Sequence, residues 1–186
     1  YEDVLLSGLA RDGGLFMPEE WPRYSLSDLN DMKGLNYAEL ASKIMSPFIS
    51  PCLSEDEILK ICENTYSNFN HQGIAPLHKF EDNLYILELF HGPTLAFKDI
   101  AMQVIGNMYE KILKKNNLKI NIIVATSGDT GAAAIDAIKG KSNIKIFVLH
   151  PENKISDIQR KFMTTVDSKN VFNIAIKSNF DECQKF

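Results

Sequence analysis

The chain has 186 residues, of which 45% are hydrophobic and 24% charged, and its formal net charge is −4 at pH 7. This composition supports a hydrophobic core, and the acidic balance argues against a nucleic-acid-binding protein. Apolar runs such as residues 120–125 are far too short to span a bilayer and no signal peptide is visible, so we expect a cytoplasmic protein with no membrane partner.

The first part of the chain, residues 1–82, carries mainly helical signals. Apolar residues recur at helical spacing over residues 36–49, where Pro47 is expected to bend or end the helix. Residues 54–57, Ser-Glu-Asp-Glu, form a capping box that predicts a helix reaching about Tyr66. Residues 73–81 are predicted to be a connector. We therefore expect a mainly helical amino-terminal subdomain.

The second part, residues 83–186, alternates strands with helices. The predicted elements are strand 85–89, helix 95–115, strand 120–125, helix 130–139, strand 144–149, helix 155–166, strand 171–177 and a further helix start. This order predicts an α/β domain with a mostly parallel sheet and helices on both faces. Right-handed crossovers bring the loops after successive strands to one sheet edge, where such sheets bind ligands. Residues 91–98, 127–131 and 150–156 are thus predicted to face one cleft.

The first of these loops contains a lysine in the nonapeptide His-Gly-Pro-Thr-Leu-Ala-Phe-Lys-Asp, residues 91–99. Thr94 is a suitable N-cap, and a helix from about Leu95 places Lys98 in its first turn beside an apolar stripe. The helix dipole disfavours a cation there, and a partly desolvated amine is easier to hold neutral as a nucleophile or Schiff-base partner. The alternative is a solvated surface lysine.

The second loop, Thr-Ser-Gly-Asp-Thr-Gly at residues 126–131, joins a predicted buried strand to a predicted helix. A strand, a small polar loop and a helix N-terminus can form an anion site, because unpaired backbone N–H groups converge there. The alternative is an ordinary turn in which Ser127 or Asp129 caps the helix.

Metal and nucleotide sites are not indicated. The three cysteines, Cys52, Cys62 and Cys183, lack the spacing of a zinc site or a disulfide framework, and the four histidines show no ligand spacing. We therefore expect no metal ion. A dinucleotide-binding module is disfavoured because the glycine fingerprint is missing.

Together, the two loops resemble the corresponding segments of the threonine synthase family. Its members are pyridoxal phosphate (PLP) enzymes of the tryptophan-synthase-β-like fold, which is fold type II. Residues 8–18, Gly-Leu-Ala-Arg-Asp-Gly-Gly-Leu-Phe-Met-Pro, are similar to the amino-terminal signature of that family, and residues 87–90 lead into the lysine motif as they do there. Lys154-Ile155-Ser156 with Gln159 also matches. Because threonine synthases are much longer, we expect a fragment in which the loop for the PLP phosphate and the partner of the pyridine nitrogen are absent.

The resemblance implies roles for individual residues. By this resemblance, Lys98 is expected to be the catalytic residue and to bind PLP as a Schiff base, and the expected reaction converts O-phospho-L-homoserine and water to L-threonine and phosphate. The substrate carboxylate is expected to bind the loop residues Ser127, Gly128, Thr130 and Gly131. Asp129 only accepts hydrogen bonds when ionised, so we assign it to orienting the loop or contacting the cofactor.

Other assignments stay open at this point. Lys154, Ser156 and Arg160 are candidate donors to the substrate phosphate, and a solvated basic helix start is an equal alternative. His91 and Asp99 either orient Lys98 or the cofactor or, as we favour, have structural roles. A related phospho-lyase that releases 2-oxobutyrate, or a non-catalytic fragment, is the alternative to a threonine synthase.

Overall fold

Two units, Tyr1–Ser67 and Asn68–Phe186, make up the chain, and the structure, a computed structural model, describes residues 1–185 of it. The predicted boundary after Asp82 lies inside the second unit, in a turn between two strands described below.

The first unit is helical. Its elements are α1 (Glu2–Ser7), α2 (Leu26–Asp31), α3 (Tyr37–Ile49) and α4 (Glu55–Tyr66). Helices α2, α3 and α4 each begin with a capping box, in which Ser25, Asn36 and Ser54 accept a hydrogen bond from the backbone three residues on. The helices predicted over residues 36–49 and 54–66 are therefore present, with Pro47 inside α3.

The second unit contains a hairpin and a three-stranded parallel sheet with helices. Its elements are β1 (Leu77–Glu81), β2 (Leu84–Leu87), α5 (Asp99–Lys115), β3 (Ile120–Ala125), α6 (Asp129–Ile138), β4 (Ile144–Pro151), α7 (Asp157–Thr164), β5 (Val171–Ile176) and α8 (Phe180–Cys183). Strands β3, β4 and β5 are neighbours in that order, with Ile122 opposite Ile146 and Ile146 opposite Val171. The predicted α/β class with a parallel sheet is confirmed.

The core that positions the loops lies between this sheet and the helices. Ile144, Ile146 and Val148 alternate along β4 and are buried to 1% exposure or less. Helix α6 is rich in buried alanine and contacts α5 closely. The closeness is shown at Gly106 of α5, where an added Cβ atom would lie only 2.6 Å from the carbonyl oxygen of Ala137. Small residues at this contact allow the two backbones to approach.

The predicted strand 85–89 is not part of the parallel sheet. It is β2, which pairs antiparallel with β1 inside the segment predicted as a connector, and Leu77 lies opposite Leu87. The turn between them contains Asn83 at φ +64°, a left-handed conformation that asparagine tolerates better than most residues. All residues of both strands are exposed, so the burial expected of a central parallel strand is missing.

Candidate active site

Lys98 lies at the junction between a tight loop and α5. The helix begins at Asp99 and not near Leu95, so the predicted start is wrong and Lys98 is the N-cap residue. The reason is the backbone of Leu95, whose φ of +61° is left-handed and incompatible with an α-helix. The Lys98 side chain is 26% exposed, and its Nζ atom lies 4.3 Å from the centroid of the Phe97 ring.

Asp99 holds the loop that leads to Lys98. Thr94 does not cap the helix as predicted: its N–H donates to Oδ2 of Asp99 (2.8 Å) and its hydroxyl donates to Oδ1 (2.6 Å). Asp99 is fully buried, and this burial raises the pKa of its carboxyl although the Thr94 donors oppose the rise. The predicted structural role of Asp99 is consistent with these contacts and stays a prediction.

The second loop, residues 127–131, is organised by the residue before it. The buried Thr126 hydroxyl oxygen accepts hydrogen bonds from the N–H groups of Gly128 (3.0 Å) and Gly131 (2.8 Å). Gly128 has φ +143°, a conformation that side chains rarely permit. Sequence reasoning did not single out Thr126, because a buried threonine at the end of a strand gives no signal of its own.

Asp129 joins the two loops. The Nζ atom of Lys98 donates to Oδ2 of Asp129 at 3.0 Å, and the N–H of Thr130 donates to the other carboxylate oxygen at 2.8 Å. The hydrogen bond from Lys98 is the main reason that the pKa of Asp129 is lowered, and desolvation opposes it. The topological prediction that the loops around Lys98 and after β3 meet is thereby confirmed for this pair.

The start of α7 lies against the same loop. A Cβ on Gly128 would fall 2.4 Å from Oε1 of Gln159, so the glutamine side chain covers the loop backbone. Ser156 caps α7 by accepting from the N–H of Gln159, and its hydroxyl donates to the Gln159 side chain (3.0 Å). Lys154 is exposed in the preceding turn. Arg160 is half-exposed and lies 3.6 Å from Asp157.

His91 has a partner that the sequence did not reveal. Its Nε2 atom lies 2.7 Å from Oε2 of Glu88, and its ring centroid is 4.8 Å from that of His71. The backbone N–H of Asn70 donates to the carbonyl of His91 (2.8 Å). These contacts tie the start of the lysine loop to the segment before the hairpin.

The residues present fit one end of a PLP site. Lys98 supplies a primary amine, the group that forms a Schiff base with an aldehyde, and its side chain is 26% exposed, so an aldehyde can reach it. Three loop N–H groups, those of Gly128, Thr130 and Gly131, already donate to Thr126 or Asp129 and so are not free to bind the cofactor. What the described residues offer to PLP is the amine of Lys98, to which the cofactor can attach.

Within residues 1–185, no group of three or more His, Cys, Asp or Glu side chains could hold a metal ion. None of the helices described in the structure is long and apolar enough to cross a membrane.

The chain has close relatives among known proteins. Residues 1–66 match the family model described as the threonine synthase N terminus. The chain is 48% identical to a threonine synthase of Pseudomonas aeruginosa over 185 residues, which are 100% of this chain and 39% of the relative. A relative from Methylobacillus glycogenes, also named threonine synthase, is 43% identical over 99% of this chain and 40% of its own length.

Solved structures give the same result. The PLP-bound threonine synthase from Brucella melitensis superposes with a TM-score of 0.94 at 40% identity, over 99% of this chain and 40% of that one. Yeast threonine synthase has a TM-score of 0.94 at 39% identity, over 99% of this chain and 39% of that one. The chain thus spans about two fifths of the length of these relatives. Over its whole length the chain is therefore similar, in sequence and in fold, to the amino-terminal part of threonine synthases.

Proposed function

We propose that this protein is a threonine synthase, which converts O-phospho-L-homoserine and water to L-threonine and phosphate with PLP attached to Lys98. The observation that carries the proposal is the 3.0 Å contact between Nζ of Lys98 and Asp129. It brings the lysine loop and the Ser-Gly-Asp-Thr-Gly loop, which carry the family resemblance, into one site.

Lys98 supplies two functions in this proposal. Its primary amine attaches the cofactor covalently, and once substrate has displaced it, Nζ accepts and returns the protons that leave the substrate carbons. PLP, when bound, supplies the electron sink that delocalises the negative charge formed when those protons leave. A lysine is required because only a primary amine can both attach to the aldehyde and move protons.

Asp129 holds the amine of Lys98 whenever that amine is free and charged. Its lowered pKa keeps the carboxylate ionised at neutral pH, and the N–H of Thr130 fixes the second oxygen. The carboxylate therefore orients Nζ and keeps the loop closed around it. Asp129 cannot bind the substrate carboxylate while ionised, because it has no donor.

The loop after β3 is proposed to bind the substrate carboxylate. Because the N–H groups of Gly128 and Gly131 already donate to Thr126, we assign these glycines to the shape of the loop. Ser127 is exposed and Thr130 half-buried, so their hydroxyls are the donors proposed to contact the carboxylate. Lys154 and Ser156, at the N-terminus of α7, are proposed to contact the phosphate.

The test uses the complete gene product and identifies both the attachment point and the reaction. Borohydride reduction of the PLP-loaded protein, followed by peptide mapping, is expected to place the label on Lys98 and to give no label there in Lys98→Ala. Lys114→Ala, which removes an exposed lysine paired with Glu110, is the matched control and should keep the label. A label on another lysine would refute the assignment.

The product distinguishes a synthase from a phospho-lyase. Incubation with O-phospho-L-homoserine is expected to release phosphate and threonine in equal amounts. Release of phosphate with 2-oxobutyrate would show instead that water is not added at the β-carbon, and no release of either product would refute both enzymatic functions.

A further inference from the structure

We infer that Asp99 is a positioning residue, whose buried carboxylate fixes the loop of residues 92–98 and so determines where the amine of Lys98 lies relative to Asp129. The inference rests on the proposed function and deepens it, because it assigns a role in preparing the attachment point to a residue that does not itself bind cofactor or substrate.

The first argument is that both oxygens of Asp99 are used on one residue of the loop. The N–H of Thr94 donates to Oδ2 (2.8 Å), and the Thr94 hydroxyl donates to Oδ1 (2.6 Å). The carboxylate thus closes a ring of backbone from Thr94 to Asp99. Both residues are buried, so water does not compete for these hydrogen bonds.

The second argument is that the loop is built tightly around this carboxylate. A Cβ on Gly92 would lie 2.4 Å from Cβ of Asp99 and 2.5 Å from its Oδ2, so no side chain fits there. Leu95 is held at φ +61°, with its N–H donating to the carbonyl of Gly92 (3.2 Å). A leucine keeps this strained conformation only where surrounding contacts enforce it.

The third argument is that Lys98 lies between two fixed points. The N–H of Asp99 donates to the carbonyl of Ala96 (3.0 Å), and the carbonyl of Lys98 accepts the N–H of Met102 (2.9 Å) in the first turn of α5. The backbone of Lys98 is therefore held by the loop on one side and by the helix on the other. Its side chain alone is left to reach Asp129.

A residue that only begins α5 would not need a polar side chain buried against the preceding loop. Burying the carboxyl group of Asp99 carries a desolvation cost, which appears here as a raised pKa. Both carboxyl oxygens of Asp99 accept hydrogen bonds from the loop that precedes Lys98, and neither is exposed to solvent. This use of a costly group favours a role in placing the neighbouring amine.

The experiment compares cofactor attachment with stability in the complete gene product. PLP is added to the apoprotein, the growth of visible absorbance gives the attachment rate, borohydride mapping confirms Lys98, and thermal melting gives stability. Asp99→Ala is expected to slow attachment roughly tenfold, because misplacing a reacting group by even a fraction of an ångström is costly. Asp99→Asn has the same shape and keeps an acceptor for Thr94, so its rate should stay within about threefold of wild type.

Glu110→Ala is the matched control. Glu110 lies on the same helix, is partly buried and accepts from Lys114 (2.7 Å) and Lys141 (3.0 Å), but it does not touch the loop. It should lower the melting temperature and leave the attachment rate unchanged. The inference would be overturned if PLP attached to Asp99→Ala at the wild-type rate. It would also be overturned if attachment to Glu110→Ala slowed in proportion to its loss of stability.

Two further measurements keep the result decisive. If Asp99→Ala does not fold, Thr94→Val, which removes one donor to Asp99 and keeps the shape, must slow attachment, and an unchanged rate overturns the inference. If wild-type protein acquires no label on Lys98, the proposed function fails. Crystal structures of wild type, Asp99→Asn and Asp99→Ala, or Thr94→Val if the alanine variant does not fold, then test the inference alone: Nζ must remain at Asp129 in the first two and be displaced in the third, and an undisplaced Nζ there overturns the inference.

Discussion

Replacing Thr126 with valine should disrupt the loop after β3, although valine has nearly the same shape. Thr126 is 1% exposed, and its hydroxyl oxygen is the acceptor for the N–H groups of Gly128 and Gly131, both buried. Valine puts a methyl group in place of that oxygen. Two buried donors therefore lose their acceptor at once, and the methyl offers them nothing in return.

The expected cost follows from these two hydrogen bonds. An unsatisfied buried donor costs about 1–3 kcal/mol, so the pair should cost about 2–4 kcal/mol after some relaxation of the loop. Thr126→Ser is the matched control, since it keeps the acceptor and loses the Cγ2 methyl group, which lies against Gly131. Loss of that methyl group should cost about 1 kcal/mol.

Amide hydrogen exchange measures the effect at the loop itself. A loss of 2 kcal/mol in local stability should speed exchange at Gly128 and Gly131 roughly 30-fold in Thr126→Val, and thermal melting should rank valine below serine. Apolar burial alone predicts the opposite order, because valine is the more hydrophobic residue. A valine variant as stable as the serine variant would therefore refute the assignment of Thr126 as the acceptor that shapes the loop.

Three further predictions concern the site and its support. Asp129→Ala should impair turnover more than PLP attachment, since the attachment point is Lys98, and complete loss of PLP would count against this division. The pKa of Asp129 is lowered in the folded protein, so its ion pair with Lys98 stabilises the fold above the ordinary aspartate pKa of about 3.9, and this stabilisation is lost as the pH falls. The melting temperature of Asp129→Asn should therefore decline less steeply in acid than that of wild type. Parallel declines would show that the ion pair does not contribute to stability. Gly106→Ala should destabilise by about 1–3 kcal/mol in urea unfolding, because its Cβ would meet the Ala137 carbonyl oxygen at 2.6 Å, whereas helix propensity alone predicts a gain.

The elements predicted well from the sequence were those specified by local patterns. The capping box at residues 54–57 and the alternation over residues 120–176 each carry their own signal, and both led to the observed helices and parallel strands. One strand of the hairpin, β2, was predicted, but β1 and the antiparallel pairing were missed, because the sequence Leu-His-Lys-Phe-Glu of β1 lacks the regular apolar and polar alternation that marks a strand.

The start of α5 shows where a local rule fails. Thr94 follows a Gly-Pro turn and is a favourable N-cap residue, which predicted a helix from Leu95. In the structure the Asp99 side chain binds both Thr94 donors, and Leu95 takes a left-handed conformation. Leucine rarely adopts that conformation, so no propensity argument could have found it.

The meeting of Lys98 with the loop after β3 was predicted correctly, but part of the reasoning was wrong. The loop after β3 lies at the carboxyl edge of the parallel sheet as expected, whereas the lysine loop follows the hairpin strand β2, which does not belong to that sheet. The contacts that shape this site were not predicted. The cover of Gly128 by Gln159 and the close approach of Gly131 to Met163 depend on how α7 packs against α6, which the sequence does not specify locally. They rest on contacts between residues far apart in the chain.

The contacts that shape the loops around Lys98 are buried, whereas the ion pair that Lys98 itself forms is partly exposed, and this difference suits the proposed chemistry. The groups that fix its surroundings, Asp99 with Thr94 and Thr126 with the loop glycines, form buried hydrogen bonds that water cannot replace. The pair that Lys98 itself forms is different, because its side chain is 26% exposed and that of Asp129 39% exposed. Ion pairs this exposed contribute little free energy. The amine can therefore leave Asp129 at small cost, while the loops that define its position remain in place.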